Sequence, residues 1–173
     1  MTTNAPGKVA HELIALLGEL TSLQESLHGV IAVKLQAMRR ADVEGMIAAA
    51  HRESELTTRF ATLDASRRDI VQRLCDTVGA PAIEGGRPVR LSTLCKKLGG
   101  PAAESISKLA ATLKDRMLKV AESNRVVELA SRELLAHFKC LFEAMVQDES
   151  QPTYSSGGGV SRAKGPRVLD AVG

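Results

Sequence analysis

The sequence predicts an all-α protein: an antiparallel bundle or coiled coil of three long helices, with a short helix in the 79–101 loop and a disordered C-terminal tail. Three observations predict it. Apolar residues recur at alternating steps of three and four through three long segments, which places them along one stripe of each helix. Most glycines and prolines gather between those segments and in the tail, where they punctuate structure. Apolar content is 44% but aromatic content only 2%, a composition that suits aliphatic knobs in coiled-coil holes better than a β-sandwich or barrel.

The first helix is expected over residues 8–40, after Pro6-Gly7. Its stripe is Val9, Leu13, Leu16, Leu17, Leu20, Leu23, Leu27, Val30 or Ile31, and Leu35, with Met38 near the end. Gly18 and Gly29 each cost about 1 kcal/mol against alanine, yet the rhythm continues past both. Ala41-Asp42-Val43-Glu44-Gly45 interrupts it. Asp42 suits an N-cap and Glu44 the first turn of a new helix. The second helix then spans 43–78, with a seam at Ile47, Ala50, Ser54, Leu56, Phe60, Leu63, Arg67, Ile70 and Leu74. So short a connection favours a helical hairpin. One bent helix over 8–78 is the alternative, because nothing in Arg40–Asp42 forbids helical angles.

Gly79-Ala80-Pro81 ends the second helix. The 79–101 loop also holds Gly85-Gly86, Pro88 and Gly99-Gly100, and Ser92 is the candidate cap of a short helix carrying Leu94 and Leu98. The third long helix, 102–146, opens at Pro101, where a missing N–H does no harm. Its stripe steps through Ile106, Leu109, Leu113, Met117, Val120, Val127, Leu134, Phe138, Leu141 and Met145, with Asn124 and Ser131 on the same line. Arg67 and Asn124 interrupt apolar stripes and read as flank positions. A register-setting role is the alternative for Asn124. Residues 1–147 therefore form a helical bundle domain and 148–173 a flexible tail rich in glycine, serine and proline, unable to bury enough apolar surface to order alone.

Net charge is +3, with acids and bases interspersed, and no aromatic residues interleave with Arg39-Arg40, Arg67-Arg68 or Lys96-Lys97, so nucleic-acid binding is not expected. Cys75, Cys95 and Cys140 are odd in number and widely spaced, which reads as reduced thiols in a cytoplasmic protein; Cys75 and Cys140 are expected to be buried or half-buried. No apolar run approaches the ~20 residues of a membrane span, and residues 1–8 lack the order of a secretory signal. His11, His28, His51 and His137 share no face with a partner at metal-ligand spacing, so neither a metal nor another cofactor is expected. Gly157-Gly158-Gly159 reads as a spacer, not a phosphate cradle, and no nucleophile or acid–base motif stands out. The expectation is a binding protein and not an enzyme. Within the tail, Tyr154 and the island Val168-Leu169-Asp170-Ala171-Val172 have the pattern of a short docking motif. For Tyr154, an incidental aromatic in a linker is the plainer reading.

The long first helix, the Ala41-Asp42-Val43-Glu44 turn, the Arg67-Arg68 stretch and Leu91-Ser92-Thr93-Leu94 resemble the FlgN family. So do Ser123-Asn124 and the ending Tyr154-Ser155-Ser156-Gly157 … Val168-Leu169-Asp170-Ala171. The resemblance covers residues 8–172. It implies a cytosolic chaperone of flagellar type III export that binds the hook–filament junction proteins FlgK and FlgL before secretion. It further implies a cargo face at Val127, Leu134, Phe138 and Leu141, and docking of Tyr154 at the export gate FlhA. The competing expectation, from the heptads themselves, is a homodimeric or larger coiled-coil scaffold with no cargo.

Overall fold

The structure, a computed structural model, describes residues 5–84, 87–148, 153–154 and 160–161. Four helices dominate: α1 (Ala5–Arg39), α2 (Val43–Val78), α3 (Leu91–Leu98) and α4 (Gly100–Asp148). The chain divides into two compact units, Met1–Val127 and Glu128–Gly173.

In the first unit α1 and α2 form an antiparallel hairpin. Lys34 Nζ lies 2.8 Å from Glu53 Oε2, and Arg73 Nη2 lies 2.8 Å from Glu12 Oε2, so α2 climbs in number as α1 descends. The bent-helix alternative is thereby excluded, and backbone geometry at the turn explains why. Ala41 stands in the left-handed region at φ 54°. The N–H of Asp42 then reaches back to the carbonyl of Ala37 at 2.9 Å, a bond that closes the end of α1. Asp42 at once caps α2, its Oδ1 accepting the N–H of Gly45 at 2.9 Å.

The core gathers around Leu13, Leu17 and Leu20 of α1, Leu74 and Cys75 of α2, Leu94 of α3 and Ile106 of α4. Leu113 joins them, and Arg116 on α4 pairs with Glu25 on α1 at 3.2 Å. The expected seam holds from Leu56 onward but is displaced in the first turns of α2. Ala49 is buried there while Ile47, Ala50 and Ser54 are exposed. Stepping back from Leu56 by three and four gives Glu53, Ala49 and Met46, and Glu53 is the residue that meets Lys34. Arg67 is half-buried and its guanidinium binds Asp64 at 2.8 Å, as a flank position should; Asn124 is exposed, so the register-setting reading of it fails. Among the described residues the buried polar one is Gln24, on the α1 stripe between Leu20 and Leu27.

Gly79 ends α2 at φ 63°, donating its N–H to the carbonyl of Cys75, and only glycine takes that angle without strain. Beyond it, the strands β1 (Ile83–Glu84) and β2 (Arg87–Pro88) pair antiparallel. Helix α3 confirms the short helix expected in this loop, but Ser92 is not its cap. The cap position is Arg90, in extended backbone and without a side-chain bond. Placement of Leu91 and buried Leu94 against the core sets the start instead.

Burial pushes the thiols of Cys75 and Cys95 above the ordinary range. Cys140 is exposed, contrary to the expected burial, because residues 132–146 of α4 are exposed on every side among the described residues. No helix of the described residues is long and apolar enough to cross a membrane.

In the second unit, Glu128–Asp148 continues as helix, and β3 (Thr153–Tyr154) pairs antiparallel with β4 (Val160–Ser161), Tyr154 opposite Val160. At these four residues a backbone pairing replaces the structureless chain expected of the tail. The remainder of the expected disordered tail, including the Val168–Val172 island, lies outside the described residues.

Candidate partner-binding site

The stretch 128–148 is made of good helix formers, with no glycine or proline. Ion pairs one turn apart, Arg132 with Glu128 and Lys139 with Glu143, line its polar side. What distinguishes it is the other side. Leu134 is 38% exposed, Phe138 59% and Leu141 48%.

Leu135, Phe142, Met145 and Val146 are exposed as well. At 100° per residue these seven side chains fall within an arc of about 140°. They include two of the chain's three phenylalanines. An uncovered apolar arc of this width on one helix makes it a candidate interaction surface. Full burial of each such side chain is worth about 1.5–3 kcal/mol.

Of the four residues expected to form a cargo face, Leu134, Phe138 and Leu141 come together on this arc. Val127 is 6% exposed and belongs to the buried set of the first unit. Tyr154 stands in β3, and its backbone is paired with Val160. Leu135, Phe142 and Val146 were missed by the sequence reading, which followed a single line of heptad positions. Their signal was there: Leu135 and Phe142 repeat at seven residues, one place after Leu134 and Leu141.

Nothing in this stretch has the geometry of a reacting centre. Among the described residues no three His, Cys, Asp or Glu side chains are grouped to hold a metal ion. A chain dominated by long helices, with an open amphipathic arc, has the build of a protein that binds partner helices.

A family model described as FlgN protein matches residues 1–162, and the chain belongs to the FlgN family. Its role is accordingly that of a flagellar export chaperone, which binds flagellar export substrates. No curated protein and no solved structure gives a significant match.

Proposed function

We propose that this chaperone holds the hook–filament junction proteins FlgK and FlgL before type III secretion and delivers them to the export gate FlhA. The observation that carries the proposal is the open arc around Leu134, Phe138 and Leu141 in a chain of this family. An apolar helical face of this kind accepts an amphipathic helix through anchors at i, i+3, i+4 and i+7. Covering the assembly helix of the cargo in this way keeps it from associating with other copies. Residues 1–147 serve as the helical domain of the chaperone, and Leu134, Phe138 and Leu141 on the second unit's helix serve as the cargo face. Residues 148–173 serve as the docking tail, with Tyr154 as its aromatic anchor for FlhA. Aromatic side chains suit that task because they bring large contact area at low entropy cost.

Mixing the purified protein with FlgK and with FlgL at concentrations on the order of ten micromolar tests the cargo step. A complex is expected that Phe138→Asp abolishes, and its absence with both partners refutes the reading. Replacing Tyr154 by alanine tests the gate step. Loss of such an anchor costs about 2 kcal/mol or more, roughly thirtyfold in affinity for FlhA, with helicity and cargo binding unchanged. Unfolding of the bundle by Tyr154→Ala, or no effect on FlhA, refutes the docking role.

The same arc supports a second reading, a homodimeric scaffold in which two copies cover each other. Light scattering separates the two. A dimer that persists on dilution and ignores FlgK and FlgL favours the scaffold.

A further inference from the structure

A second apolar surface lies wholly within the first unit. A groove of about 670 Å³ opens between α2 and α4, floored by Leu17 and Leu20 of α1 and walled by Phe60, Met117 and Leu118. Met117 and Leu118 are exposed although their seam neighbours Leu113 and Val120 are buried.

The sequence explains the excess. The buried stripe of α4 in the first unit runs through Ile106, Leu113 and Val120, of which Ile106 and Leu113 join the core with residues of α1 and α2. Ala110, Met117 and Ala121 form a separate face beside it, within an arc of about 40°, with Lys114 at its outer edge and Leu118 just beyond. A helix packed only on its seam has no need of a second apolar face. The alanines on this face let another backbone come close.

The edges of the groove are positive. On the α2 side Asp64 binds both Arg67, at 2.8 Å, and Arg68, at 2.6 Å, so one carboxylate meets two guanidiniums. On the α4 side Lys114 lines the groove and makes no ion pair among the described residues. Arg125, also without an ion pair among the described residues, follows about three turns later on the same edge of α4.

We propose that this groove is a docking site for an amphipathic helix whose apolar stripe is flanked by carboxylates. Its walls are helices and offer no strand edge, so the fitting mode is helix in groove. Phe60 to Arg67 spans about 10 Å of α2, the length covered by anchors at i, i+4 and i+7. Carboxylates beside those anchors would meet Lys114 and Arg125 on one edge and the surplus guanidinium on the other. A helix with basic flanks would meet like charge on both edges, which costs affinity and slows encounter. The proposal stands without the cargo reading, because it uses no residue beyond Arg125.

The test uses the full chain and two labelled synthetic helical peptides with one leucine stripe, flanked by glutamates in one and lysines in the other. Fluorescence anisotropy is expected to give tighter binding of the glutamate peptide by about tenfold or more, a preference that shrinks as salt rises. Lys114→Glu with Leu118→Glu is expected to remove at least about tenfold of that affinity without changing helicity, since both side chains are exposed. Leu141→Asp, on the open arc of the second unit, is expected to leave the preference for the glutamate peptide intact. Amide shifts of the unaltered protein on titration are expected to cluster around Phe60, Lys114 and Leu118, a readout that stands even if the double variant unfolds. Equal binding of the two peptides, no binding of either, or shifts clustered elsewhere would overturn the proposal. So would loss of binding on Leu141→Asp alone, which would move the site to the arc and leave the cargo reading in place.

Discussion

Asp42 Oδ1 accepts the N–H of Gly45 at 2.9 Å, and a methyl group placed on Gly45 would collide with the same carboxylate. The cap and the glycine therefore depend on each other. Asp42→Ala is expected to cost about 1 kcal/mol, as for other lost N-caps. Gly45→Ala carries a helix-propensity gain of about 1 kcal/mol, but in the native background it must push the carboxylate away from its bond. Urea denaturation of the two single variants and the double variant is expected to show Gly45→Ala more favourable once Asp42 is alanine. Additive effects would mean the collision is relieved at no cost.

One residue earlier, Ala41 closes α1 at φ 54°, an angle that glycine takes freely and alanine does not. A left-handed residue other than glycine is strained by roughly 1 kcal/mol. Replacing Ala41 by glycine is expected to raise the urea midpoint, the larger entropy of glycine in the unfolded chain offsetting part of the gain. A lower midpoint would show that the methyl group is needed at the turn.

These two residues also mark what the sequence could convey. The helix pattern, the position of the break at 41–42 and the Asp42 cap were legible, because stripe spacing and cap chemistry are local. Hairpin or bent helix was not, since the decision rests on Ala41 adopting an angle that its side chain disfavours. Glu53 hid the start of the α2 seam for a related reason. A charged residue on a buried line looks like a break in the pattern until its partner, Lys34, arrives from another helix. Gln24 was overlooked on α1 in the same way, a polar residue continuing a stripe of leucines. At the candidate site Phe138 and Leu141 were legible from the heptad. Their exposure was not, because spacing alone does not say whether a stripe is covered.

Asp64 links stability to pH. Burial raises its pKa, but bonds and charge from Arg67 and Arg68 outweigh that and hold the carboxyl below its ordinary 3.8. A carboxylate depressed on folding contributes stability above its unfolded pKa and loses it as pH falls through the lower folded value. Asp64→Asn is therefore expected to lower stability at pH 7 by roughly 0.2–1 kcal/mol, the range of partly exposed ion pairs. The gap from the native chain should close as pH drops below about 4. Denaturation curves at pH 7, 5 and 3 check this. A gap that does not narrow between pH 5 and pH 3 would assign Asp64 a role other than its charge.

Burial and function separate most cleanly in two leucines. Leu74 is 1% exposed in the core of the first unit, whereas Leu141 lies open on α4. Truncating Leu74 to alanine removes packed methyls and leaves a cavity, an expected loss of about 2–5 kcal/mol. Truncating Leu141 removes contacts that the free protein does not make, so stability is expected to move by no more than about 0.5 kcal/mol. Cargo binding should reverse the order. Leu141→Ala is expected to weaken FlgK and FlgL complexes by about tenfold or more, while Leu74→Ala, measured where it is still folded, leaves them near native affinity. Thermal melts and isothermal titration on the same samples decide the matter. If Leu141→Ala binds cargo as the native chain does, the open arc of α4 is not the cargo face.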